Sequence, residues 1–100
     1  MDVGAVIKQF RKKLGINQLE LASKSDITQA YLSQIENNKK DPNLSTLKSI
    51  CRALEIPLPI LFFSSISEGD VPDEKKEAYL IMAPAMKEMI SSLFLNKYVN

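Results

Sequence analysis

Gln29, Ala30, Ser33 and Gln34 lie on one side of a short helical stretch, "TQAYLSQIE" (28–36), whose other side carries Leu32 and Ile35. A glutamine amide donates and accepts at once, so it can pair with the N7 and N6 edge of adenine, and an alanine methyl can meet the methyl of thymine. Such residues read an edge; they do not break bonds. The chain has no His and a single Cys, Cys51. Nothing in it supplies a convergent nucleophile, base and orienting group, or a Cys/His cluster of the kind that holds zinc. No catalytic residue, metal or cofactor is expected, and an enzyme is not.

A readout face needs something to hold its register. Asn17 and Gln18 open the preceding helical stretch, where free backbone amides and the helix dipole favour a phosphate. Lys39 and Lys40 follow the readout stretch and suit either a phosphate backbone or water. Net charge is only +1, but residues 1–63 hold nine Lys/Arg against six Asp/Glu, and residues 64–100 hold four against six. A mildly basic front precedes a mildly acidic back.

Helices must position these groups. Asp2 can cap a first helix carrying Val6, Ile7, Phe10 and Leu14 at helical spacing, with Gly15 to end it. Asn17 and Glu20 form a capping-box-like start to a second helix that runs to about residue 24 or 25. Thr28 offers its hydroxyl to the first free amides of a third, which ends near Asn37. "NNKKDPN" has turn chemistry, and Asn43 can cap a fourth helix bearing Leu44, Leu47, Ile50, Cys51 and Leu54. "PLPILFF" suits a short fifth helix laying Leu58, Leu61 and Phe62 over the core. Cys51, with apolar neighbours at helical spacing, reads as a core thiol.

"SSISEGDVPDE" lacks periodicity and reads as a linker. Beyond it Tyr79, Met82, Met86, Met89 and Leu93 step by three, four, three and four residues, a two-heptad seam that Ile90 and Phe94 broaden. Pro84 falls inside it, so a kink or a fresh helix start is expected there. The longest nearly apolar run, residues 78–86, is short of the roughly 20 residues that span a bilayer. The polar positions mix both signs, unlike a membrane-surface helix. The seam then folds back on the domain or pairs with a second copy, and pairing is the expectation because the five helices close a core without it.

Gln18, Ala22, Asp26, Ile27, Leu32, Ser33, Ile35 and Glu36, with "RKKLG" upstream and "NLSTLKSICRALEIP" downstream, resemble the Cro/C1-type (XRE) helix-turn-helix family of bacterial and phage transcription regulators. The likeness runs from about residue 3 to 63. It implies an all-α, five-helix domain whose third helix enters the major groove while the second crosses the backbone. Base reading then falls on Gln29, Ala30 and Gln34, with Ser33 beside them. Phosphate contacts fall on Asn17, Gln18, Thr28, Tyr31, Asn37, Lys39, Lys40, Asn43 and Ser45. The resemblance also implies a structural ion pair between Arg11 and Glu36. Asp26 and Asn38 stand where the family has glycine in left-handed turns, and both types tolerate that conformation.

The organisation expected is a DNA-binding domain over 1–63, a linker over 64–72 and a helical dimerisation segment over 73–100. The function expected is a cytoplasmic regulator, in the simplest mode a repressor, that binds a palindromic double-stranded DNA operator as a homodimer. No membrane or small-molecule ligand is evident. The alternative is a protein-interaction module on the same fold, such as an antitoxin or an antagonist of a regulator.

Overall fold

Each of the first four helices starts at the side chain that its local sequence singles out. Asp2 accepts from the amide of Ala5 at 2.9 Å, Asn17 from Glu20 at 2.8 Å, Thr28 from Tyr31 at 3.1 Å and Asn43 from Thr46 at 2.8 Å. These bonds satisfy amides that have no partner inside the helix. The computed structural model describes residues 1–96. In order, it contains α1 (Val3–Lys13), α2 (Gln18–Lys24), α3 (Gln29–Glu36), α4 (Leu44–Leu54), α5 (Leu58–Ser65) and α6 (Lys76–Ile90). Short 3-10 turns precede α6 at Glu68–Asp70 and Asp73–Lys75, and a π-helical turn, Ser91–Leu95, follows it. The class is all-α, with no strand among the described residues.

The helix ends are set by backbone sign. Gly15 takes φ 72° just beyond α1, while Asp26 and Asn38 both take φ 57° after α2 and α3. Glu55 is left-handed as well, at φ 59°, and nothing in its residue type announces it. It ends α4 two residues before Pro57, where the chain must already have left the helix.

Ile7, Leu21, Leu32, Ile35, Ile50, Leu54 and Leu61 are the largest fully buried side chains, and together they draw on all of α1 to α5. Gly4 lets α1 close on α3. A Cβ there would collide with the carbonyl oxygen of Ile35 and come within 2.7 Å of Asn38 Oδ1. Cys51 lies inside this core, and burial pushes its thiol up to about 11. A thiol so placed stays neutral and unreactive.

The expected linker has structure of its own. Ser67 donates its amide and its hydroxyl to Asp70 Oδ2 at 2.8 and 3.0 Å, closing a capped turn. Pro84 does not divide α6, which runs unbroken through it. The proline removes only the N–H that would have bonded the Leu80 carbonyl, on a turn where Leu80 is exposed. With its flanking turns the segment Asp73–Leu95 is long and apolar enough to cross a membrane by length and composition alone, although Lys87 and Glu88 interrupt its apolar face.

α6 turns part of the two-heptad seam toward this chain's own domain. Tyr79, Ile90 and Phe94 belong to the side that meets this chain's own domain. Tyr79 donates its hydroxyl to the Ile66 carbonyl at 2.8 Å, Ile90 is 8% exposed within the core, and Phe94 packs partly buried against it. Ala83 and Leu95 are buried too. On the flank beside it Met82, Met86, Met89 and Leu93 are exposed, the last three along a groove shared with Pro59, Ile60 and Phe63 of α5, while Leu80 and Ile81 are exposed elsewhere on the circumference. Apolar residues occupy too much of the circumference for spacing alone to say which side turns inward. Residues 97–100, the end of the expected dimerisation segment, lie outside the described residues.

Candidate nucleic-acid interface

Arg11 and Glu36 form the base of the site. Arg11 Nε meets Glu36 Oε2 at 2.8 Å and Nη2 meets Oε1 at 3.0 Å, while Nη1 donates to the carbonyl of Ile16 at 3.1 Å. The Glu36 side chain is 1% exposed, so its charge is held by this fork and by one further donor. That donor is Gln18, whose Nε2 reaches Glu36 Oε1 at 3.2 Å. A carboxylate can only accept, so the Gln18 amide must turn its nitrogen inward and its oxygen outward. The outward oxygen then accepts from Gln29 Nε2 at 3.4 Å.

This chain of bonds runs from a buried ion pair to an exposed side chain. Gln29 keeps its own oxygen and one N–H unused, which is the acceptor and donor pair that an adenine edge requires. Its presentation is therefore coupled, through Gln18, to the inside of the fold. Ala30 and Gln34 are exposed beside it on α3, and among the described residues no side-chain bond restrains Gln34. The backbone carbonyl of Gln34 accepts from Lys39 and Lys40 amides at 2.8 and 3.3 Å, which draws the following loop against the end of α3.

Ser33 is placed less openly. It is half-buried, and its hydroxyl and carbonyl accept from Asn37 Nδ2 at 3.4 and 2.9 Å. Ser33 and Asn37 thus engage each other on α3. Tyr31 is half-buried with its side chain packed against the core. Asn17, Thr28 and Asn43 spend their side-chain oxygens on caps, which leaves the two amides and the Thr28 hydroxyl proton free to donate outward. Ser45, Lys39 and Lys40 are exposed, and neither lysine has an ion-pair partner among the described residues.

Asn38 secures the loop that carries those lysines. Its Nδ2 donates to Asp2 Oδ1 at 2.7 Å, so the N-cap of α1 also anchors the turn after α3. The amide of Ala5, and after it this contact, hold the Asp2 carboxyl below its ordinary value. Sequence reading assigned Gln18 to phosphate alone and missed its place between Glu36 and Gln29. No spacing rule connects residues 18, 29 and 36, because the three come together only when α2 and α3 pack. Gly4 was missed as well, although a glycine inside an otherwise good helix is itself a sign of close approach.

Comparison with known proteins places this geometry. The family model described as Helix-turn-helix matches residues 7–61. The chain is similar to the immunity repressor protein of Bacillus phage phi105, 41% identical over 56 residues that cover 56% of this chain and 39% of that protein. It is similar to the HTH-type transcriptional regulator SinR of Bacillus subtilis, 35% identical over 60 residues, covering 59% and 54%. A crystal structure of the clp gene regulator ClgR from Corynebacterium glutamicum matches with a TM-score of 0.59 and 31% identity, covering 61% of this chain and 79% of that one. A second ClgR structure covers 92% of this chain and 86% of its own with a TM-score of 0.60, and at 23% identity it speaks to the fold alone. The chain spans 39 to 56% of the length of the first curated relatives it matches.

Proposed function

The chain belongs to the Cro/C1-type helix-turn-helix family, and from that membership we propose that it is a DNA-binding transcriptional regulator whose α3 enters the major groove of double-stranded DNA. The named relatives are regulators and a repressor, not enzymes. The observation that carries the reading is the outer face of α3. Gln29, Ala30 and Gln34 stand exposed there, and Gln29 is held through Gln18 by a buried ion pair. In this reading these three side chains meet bases, with Ser33 at the margin. The α2 and α4 starts, with Lys39 and Lys40, meet the flanking phosphates.

The regulator acts as a homodimer on a palindromic operator, in the cytoplasm, and represses by occupying that site. The exposed side of α6 supports the dimer. Met82, Met86, Met89 and Leu93 are between 39 and 71% exposed, and fully burying one such side chain contributes about 1.5–3 kcal/mol. A second copy related by a two-fold axis is the commonest way to cover such a face.

Selection from a pool of random duplexes tests this directly. The expected product is an inverted repeat whose half-sites are centred about one helical turn, roughly 34–36 Å, apart. Enrichment of a lone half-site would remove the dimer. The same exposed face of α6 favours a second reading, a module that grips another protein, and that reading predicts no enriched duplex even at low salt, where phosphate contacts are strongest.

A further inference from the structure

A cavity of about 190 Å³ lies where α6 meets the five-helix domain. Gln9 and Lys13 of α1, Ser64 of α5 and Lys87 of α6 line it, and Phe10 and Ile90 supply apolar wall. No carboxylate is among its described lining residues. Neither lysine has an ion-pair partner among the described residues, and the Ser64 hydroxyl is buried with no hydrogen-bond partner. Two lysines, a glutamine and a serine thus border one space whose other described lining is hydrocarbon.

Unpaired cations around a cleft raise the local concentration of anions, and charge-assisted bonds are the stronger class. We propose that this cavity binds a small organic anion, a carboxylate or phosphate monoester with a short apolar body. The charged end lies between Lys13 and Lys87, and the body rests on Phe10 and Ile90. The volume falls below the roughly 300–1,000 Å³ of drug-sized sites, which limits the ligand to a few carbons. Because Lys13 belongs to α1 and Lys87 to α6, the bound anion ties the tail to the domain. It stabilises the docked tail by mass action, since the site is complete only there. The inference does not depend on DNA binding.

Amide NMR titration of the full chain tests it, with butyrate and butyl phosphate as probes and butylamine and butanol as controls. Saturable shifts at Gln9, Lys13, Ser64 and Lys87 are expected with an anion and with neither control, and the two anions separate carboxylate from phosphate recognition. K13Q and K87Q should each weaken binding about tenfold or more, the scale of a lost charge-assisted bond, with the thermal midpoint unchanged. K48Q, at an exposed position of α4, should leave it unaltered. No saturable shift, shifts of equal size with butanol, or binding undiminished in both K13Q and K87Q would overturn the proposal.

Discussion

Gln29 Nε2 donates to Gln18 Oε1 at 3.4 Å, and this bond joins the first residue of α3 to the first residue of α2. Gln18 is itself held by Glu36, seven residues beyond Gln29 and so on the same face of α3 two turns later. A long bond thus links an exposed amide, through Gln18, to a carboxylate that solvent does not reach. Such preorganisation lowers the entropy lost when the side chain meets its target.

On the proposed reading, replacing Gln29 or Gln34 with Ala costs roughly 1–3 kcal/mol on the selected operator and much less on random duplex. Competition binding at one fixed salt concentration measures both. Equal losses on the two DNAs would take these residues out of base readout. Gln18→Ala should relax specificity at the position that Gln29 reads, since it frees that amide to turn.

Removing one member of the Arg11 and Glu36 pair leaves the other as an unpaired buried charge. Arg11→Ala should destabilise by about 3–5 kcal/mol in urea unfolding, far more than a solvent-facing ion pair such as Glu20 with Lys24 at 3.2 Å. An Arg11→Met, Glu36→Leu double substitution should recover most of that stability, because it removes both desolvation penalties together. A double variant as unstable as the single one would refute the charge argument.

Gly4→Ala meets the Ile35 backbone, which unlike the Asn38 side chain cannot swing aside. The new methyl would push α1 away from the Ile35 carbonyl, at a cost of about 1–3 kcal/mol or more despite alanine's better helix propensity. Ala5→Gly, at an exposed neighbour on the same helix, should cost only about 0.8–1 kcal/mol. The contrast between the two unfolding midpoints isolates packing from propensity.

The two sides of α6 should respond differently. Met89→Glu or Leu93→Glu, on the exposed side, should yield a folded monomer by sedimentation, whereas Ile90→Ala should lower stability by about 2–5 kcal/mol. A chain ending at residue 63 should also lose stability, because Ser65, Ile90 and Leu95 leave the buried set. A dimer that survives both glutamates would move the interface elsewhere. Flotation with vesicles gives the control for a tail that passes the length criterion for a membrane span, and co-flotation of the full chain would replace the dimer with a lipid surface.

What the residues determine by themselves is local. Asp2, Asn17, Thr28 and Asn43 each cap a helix because a short side chain three residues before an amide has one good partner, and no distant contact is needed. The inward set of α1 to α5 follows from the 3.6-residue period, which marks one face when polar residues fill the other. Tertiary structure decided what depends on two elements at once. Glu55 became left-handed to turn α4 into Pro57, Gly4 opened the space for α3, and Gln18 joined Glu36 to Gln29. It also chose the side of α6 that docks, since that helix is apolar nearly all round and its period leaves the choice open. Tyr79 reaching the Ile66 carbonyl and Ile90 entering the core set that rotation, and the methionines lie along the adjoining exposed flank as its consequence.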